Sequence, residues 1–252
     1  MSVRSFRALQ ALILAGLGLF LLSRIWNGKI LLYINQRFVI LVFLAGLGLI
    51  ILAQVVFQDR LSDRNGTEEK GSTSTGKEMN EPRMRWNLWW IAIPVMIGLV
   101  IPAKPLSASA IAMRGINTGA PLTVRVGDAR MSLALAPEER TVLDWIRLIS
   151  AADEPQTLVG QPVDVIGFVY HDPRLSSNQF MVGRFTITCC VADALALGMI
   201  VSWPGVEGLV ENTWVRVQGS LELTQLDGRT LPKIAANGIE VVPQPEQPYL
   251  FP

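Results

Sequence analysis

The chain's 252 residues are half hydrophobic and only 17% charged, with 22 Lys and Arg nearly balancing 21 Asp and Glu. Apolar residues crowd the first 102 positions, which excludes a purely water-soluble protein and places part of the molecule in a membrane. Both cysteines sit side by side at Cys189 and Cys190.

Three apolar runs come first. Residues 8–22 are too short to cross a bilayer unless 23–26 are added, since about 20 residues are needed to span the hydrocarbon core. Arg4 and Arg7 precede this run as they would in a signal peptide, but Ser23-Arg24-Ile25-Trp26 is a poor cleavage site, so the run is expected to stay as an anchor. Residues 38–57 carry Gln54 as their one strongly polar member and read as a transmembrane helix. Residues 86–102 open with Trp86, Trp89 and Trp90, rings suited to a membrane interface, and Pro94 is expected to kink the run. The expected organisation is two transmembrane helices in 1–58, a disordered cytoplasmic linker in 59–85, and a third transmembrane helix in 86–103.

The linker holds almost nothing apolar to bury. Leu14-Ala-Gly-Leu-Gly-Leu19 recurs as Leu44-Ala-Gly-Leu-Gly-Leu49. Two readings stand, a helix-packing face or chance in a Leu/Gly/Ala alphabet.

Charge sets the expected orientation. With the N-terminus inside, Arg4, Arg7, Arg60, Arg64, Lys70, Lys77, Arg83 and Arg85 are cytoplasmic, against Arg24, Lys29 and Arg37 outside. Basic residues favour the cytoplasmic side. The expectation is a multi-pass cell-membrane protein with a cytoplasmic N-terminus and, after three crossings, an extracytoplasmic C-terminal domain.

Residues 104–156 read as a connecting segment with an amphipathic helix over 137–151. Pro137 suits its first turn, Glu138 and Glu139 its positive end, and Val142, Trp145, Ile146 and Ile149 its buried face. Residues 157–247 then change to period two. Strands are expected around Val163 to Tyr170, Gln179 to Cys189, Ala196 to Trp203, Val215 to Leu223 and Ile234 to Val242, with bulges at Ile166-Gly167 and Gly183-Arg184. Five such strands predict an all-β, OB-like small barrel behind an α-helical membrane anchor, a small sandwich being the alternative. OB barrels often bind nucleic acid, but residues 104–252 hold eleven Lys and Arg against fifteen Asp and Glu. Phosphate binding needs a basic groove, so nucleic acid is not expected as a partner.

The candidate site is built on Cys189 and Cys190. Alternation predicts Phe185, Ile187 and Cys189 inward and Cys190 outward, beside the Tyr170-His171-Asp172 turn. Adjacent cysteines chelate zinc or copper poorly. A metal would therefore need His171, the only histidine, and Asp193, with Asp172 a further carboxylate nearby. Three roles stay open: packing, binding of a thiophilic metal ion or solute, and redox chemistry. In the redox reading Cys190 attacks, Cys189 resolves, and Arg184 is the one nearby base able to lower a thiol pKa.

Ile101-Pro-Ala-Lys-Pro-Leu-Ser107, Arg114-Gly115, Gly167-Phe-Val-Tyr170, the block from Phe180 to Ala194 and Pro248-Tyr249-Leu250 together resemble the YcgQ-like family of proposed permease subunits. The resemblance runs nearly the full length, and Cys-Cys-Val-Ala-Asp-Ala is its specific part. It implies an accessory subunit whose partners are a larger multi-span permease and membrane lipid, and it assigns no catalytic residue. A membrane-anchored thiol oxidoreductase and an envelope oligosaccharide-binding module are the alternatives.

Overall fold

The computed structural model describes residues 3–65, 93, 96–98, 100–101, 104–116, 131–226 and 228–252. The chain divides into two compact units, Met1–Lys104 and Pro105–Pro252.

The first unit is built on α1 (Val3–Trp26) and α2 (Val39–Asn65). Gly28 turns the chain between them with φ 66°, a left-handed conformation that costs glycine nothing. Asn35 then accepts the Arg37 amide at 3.0 Å, ending the connection. The spans Ala8–Trp26 of α1 and Gln36–Gln58, which runs from a 3-10 turn into α2, have mean hydropathies of 1.9 and 2.9, and both are long and apolar enough to cross a membrane. The repeated hexapeptide meets itself across this pair. A Cβ on Gly18 would lie 2.8 Å from the Gly46 carbonyl, and one on Gly46 would lie 3.2 Å from Leu22. Gly16 and Gly48 face open space. The packing reading therefore holds for one glycine of each copy, where small residues let the backbones approach.

Most of the third apolar run and of the linker lies outside the described residues. Where the run is described, Gly98 sits against the Phe20 ring, and its carbonyl accepts from Arg24 at 2.8 Å. α2 continues through Asp59 to Asn65, so the start of the expected linker is helical.

The second unit is a six-stranded sheet domain. Its helix α3 (Ala108–Arg114) precedes α4 (Val142–Ala151) and strands β1 (Pro162–Tyr170), β2 (Gln179–Thr186), β3 (Leu195–Ser202), β4 (Trp214–Leu226), β5 (Arg229–Val241) and β6 (Tyr249–Leu250). The order is β1-β4-β5-β3-β2-β6, and β1 also pairs with β2 through Phe168, Val169 and Tyr170. Neighbours are antiparallel except β3–β5 and β2–β6. The two-residue β6 was not expected from sequence.

α4 starts later than the Pro137 reading. Pro137–Glu139 form a separate 3-10 turn, and the helix is capped by Thr141, whose Oγ1 accepts the Asp144 amide while Asp144 accepts the Thr141 amide at 2.9 Å. A reciprocal capping box outweighs proline at this end. α4 packs on β1, β2, β3 and β5, sending Val142, Trp145, Ile146 and Ile149 into a core with Phe180, Val182, Leu197, Met199 and Val217.

The bulge sits elsewhere than expected. Register is continuous along β1–β4 and β2–β3, and the one shift lies between Gln218 and Gly219 of β4. Gly167 and Gly183 mark close approach instead: a Cβ on Gly167 would stand 2.6 Å from the Gly183 carbonyl, and one on Gly183 3.0 Å from the Phe168 ring. Phe168 stacks on Phe185 at 5.6 Å and meets Trp214 edge-on.

At the bulge, a Cβ on Gly219 would run into the Ala235 carbonyl, whereas Gly238 has only the tip of Gln218 nearby, at 3.7 Å. Gly219→Ala is expected to destabilise the sheet domain by about 1–3 kcal/mol, and Gly238→Ala to change it by less than about 0.5 kcal/mol. Denaturant unfolding of the two variants measures the contrast.

Candidate functional site

β2 stops at Thr186 because the C-terminus takes over its hydrogen bonding. The Leu250 carbonyl accepts from Thr186 Oγ1 and from the Ile187 amide, both at 3.0 Å. The chain then leaves the strand, and Asp193 collects it. Its Oδ1 accepts the Thr188 amide at 3.2 Å, and its Oδ2 accepts those of Cys189 and Cys190 at 2.7 and 3.4 Å. Three successive amides on one carboxylate make a fixed turn ahead of the short 3-10 helix Val191–Asp193.

This turn corrects the strand alternation expected for the cysteines. Ile187 is buried, but Cys189 is exposed and Cys190 half-buried, and both are free thiols. Cys189 therefore does not face the core; the period-two pattern ends with the strand, three residues before it. The Cys189 thiol, hydrogen-bonded to Cys190, is pushed up by partial desolvation, then by the Cys190 thiol and the Asp193 carboxylate.

Arg184 is committed elsewhere. Its guanidinium is buried and donates to the carbonyls of Pro248 at 3.1 Å, Gln247 at 2.9 Å and Ile166 at 3.1 Å, while lying 5.2 Å from the centre of the Trp214 ring. Burial lowers its pKa to about 10, leaving it cationic at neutral pH.

The expected metal set does not assemble. His171 gives its Nε2 hydrogen to the Leu209 carbonyl at 2.9 Å. Asp172 is bound by the Arg174 guanidinium at 2.7 and 3.0 Å and by its amide at 2.9 Å. Among the described residues no group of three or more His, Cys, Asp and Glu side chains is placed to hold an ion. Cys189, Cys190 and Asp193 come together in one turn, while His171 and Asp172 serve a separate loop.

The structure also gathers motifs that sequence spacing kept apart. The Leu106 amide donates to Tyr249 Oη at 2.9 Å, and the Ala108 amide donates to Asn212 Oδ1 at 2.6 Å. Asn212 has φ 68°, the one non-glycine left-handed residue among those described. α3 lies on β1 and β3 with Ala108 and Ile111 buried, and Ile116 reaches the place a Cβ on Gly198 would fill. Met181 and Ile200, on the opposite side of β2 and β3 from the main core, are covered by Ile116, Tyr170, Leu175 and Leu226. The signal available in sequence was the pair of segments around Leu106 and Tyr249, without any indication that they touch.

Residues 9–117 match the DUF1980 N-terminal domain and residues 135–252 the DUF1980 C-terminal domain. The chain belongs to the YcgQ-like family. One family relative, the "UPF0703 protein YcgQ" of Bacillus subtilis, is 29% identical over 99 residues, 38% of this chain and 35% of that protein. Another, from Streptococcus mutans, is named a "Putative two-component membrane permease complex subunit" and is 25% identical over 195 residues, 64% of this chain and 71% of that one. A small single-stranded DNA-binding protein from Streptomyces coelicolor overlays 33% of this chain and 94% of its own at 16% identity with TM-score 0.22, from which neither fold nor ligand follows. In this chain the Cys-Cys-Val-Ala-Asp-Ala block thus holds a dithiol turn with Cys189 exposed and Cys190 half-buried, and Tyr249–Leu250 is the strand that ends β2 beside it.

Two outcomes follow from these contacts. Arg184→Met strands three carbonyls and should cost about 1–3 kcal/mol, freeing 247–252 for limited proteolysis while the sheet core resists; Arg184→Lys should rescue only part, since one ammonium cannot serve three carbonyls in this fork. Hydrogen bonding to Arg174 holds Asp172 below the usual carboxylate range. A depressed folded pKa adds stability above the unfolded value near 4, lost as pH falls through the lower folded value. Arg174→Ala should therefore lose up to about 1 kcal/mol at neutral pH and converge with the parent chain in strong acid, as pH-dependent unfolding would record.

Proposed function

We propose that this chain is an accessory membrane subunit of a two-component permease, carrying an OB-type barrel on the extracytoplasmic side that docks on a multi-span partner. The observation that carries the reading is the covering of Met181 of β2 and Ile200 of β3 by the chain's own Ile116, Tyr170, Leu175 and Leu226. In an OB barrel the face of the second and third strands, with its loops, is the usual ligand platform. Here Ile116 occupies it beside Gly198, and Met181 and Ile200 are buried. A domain whose platform is filled from within is suited to a fixed role in an assembly.

Other observations support the same reading. The pairing order in which β1 contacts both β4 and β2 is that of a five-stranded ring, as an OB barrel requires. The relative from Streptococcus mutans carries a permease-subunit name. α1 and α2 leave an apolar groove of about 690 Å³ in which small residues such as Ala11, Ala15 and Gly16 alternate with Leu12, Leu19 and Phe57, a face against which another transmembrane helix could pack.

The alternatives lose support on specific points. An oligosaccharide module would need the covered platform. A thiol oxidoreductase would need a base beside the attacking Cys190, whereas Arg184 is held by three carbonyls.

The decisive experiment is affinity purification of the tagged chain in mild detergent, with and without prior crosslinking. Recovery of a multi-span permease is expected; its absence under both conditions would sink the reading. The orientation is tested separately by fusions. A reporter at the C-terminus should read extracytoplasmic and one near Thr73 cytoplasmic, and identical signals at both sites would mean that residues 86–103 do not span.

A further inference from the structure

The partner reading leaves the exposed thiols unused. We propose that the Cys189–Cys190 turn is a two-sulfur site for one trivalent, pyramidal thiophile of the arsenous or antimonous hydroxide class.

The turn's thiols are the chain's two cysteines, both free, one exposed and the other half-buried. They are consecutive residues of one turn, so both sulfurs can reach one centre. Asp193 fixes the backbone under them and spends both carboxylate oxygens on the amides of Thr188, Cys189 and Cys190. The site therefore provides two soft donors and no third side chain.

That donor set selects by geometry. Structural zinc takes four protein ligands around a tetrahedron, and among the described residues no group of three is available. A pyramidal centre with bond angles near a right angle holds its two sulfurs close together, as neighbouring residues of one turn allow, and it needs only two of them because its third ligand can remain hydroxide. Soft thiolate donors suit such a centre.

The chemistry balances without an oxidant. Each thiol displaces one hydroxide: its S–H bond and one metalloid–oxygen bond break, a metalloid–sulfur bond forms, and the proton leaves in water. Two thiols release two waters, and no oxidation state changes. The site stands independently of the permease partner, so its failure and that of the subunit reading are separately visible.

Arsenite is the probe, added to the reduced, purified full-length chain in detergent. Native mass spectrometry should show one arsenic per chain, and a thiol assay should show both cysteines consumed together. The adduct should survive excess glutathione and be stripped by a small dithiol. Cys189→Ser and Cys190→Ser should each weaken capture by roughly 100-fold, because the second bond is made at the high effective concentration of a linked donor. Asp193→Asn, which keeps both thiols but disturbs the turn, should also bind less tightly, with circular dichroism and unfolding confirming that each variant is folded. The proposal is overturned if the folded chain forms no adduct, if either single-cysteine variant binds as well as the parent, or if the chain in denaturant binds equally well. In that last case adjacency alone, and not the turn, would account for capture.

Discussion

The arrangement around the candidate site depends on a guanidinium taken out of water. A buried cation is tolerated only where its donors are met, and Arg184 meets them with the carbonyls of Ile166, Gln247 and Pro248. Those bonds place the C-terminal residues against the sheet. Tyr249 and Leu250 then pair with Phe185 and Thr186, and the Leu250 carbonyl takes the Ile187 amide. β2 can go no further, and the dithiol turn begins where it stops. The same strand presents Tyr249 Oη to the Leu106 amide, so one buried charge locates both the turn and the start of the segment that leads to Ile116.

Asp193 has the complementary task. A carboxylate that accepts three amides is a structural group first, and it gives two neighbouring cysteines a defined backbone instead of a floppy loop. Its oxygens are thereby withdrawn from metal binding, as the Asp172 oxygens are by Arg174. What remains is a pair of thiols on the surface of a well-packed domain. This is neither a buried packing element nor the activated Cys-x-x-Cys arrangement of a redox enzyme. The division of labour explains why a block of conspicuous residues contains so few free ligands.

The two apolar helices follow a simpler constraint. Helices in lipid gain little from burying apolar surface against each other, so close backbone approach matters more. Gly18 and Gly46 provide it between α1 and α2, while Gly16 and Gly48, equally prominent in the repeated hexapeptide, face open space. Crossing geometry picks one glycine from each copy.

Local chemistry alone determined a good deal about this protein. The apolar runs of α1 and α2, the apolar face of α4 and the period-two stretches of the sheet domain were legible because length, helical spacing and strand alternation are properties of short windows. So were the cysteine pair, Asp193 and the family resemblance. Only the tertiary structure decided what those residues do. Continuing the alternation of β2 to Cys189 failed because the hydrogen bonds that end that strand come from Leu250, more than sixty positions away. His171 looked like a metal ligand and Arg184 like a base near the thiols until their hydrogen-bond partners, Leu209 for one and the C-terminal carbonyls for the other, were in place. Partners so distant in sequence leave no periodicity in the windows they join, and for that reason the site's members could be named from sequence while its geometry could not.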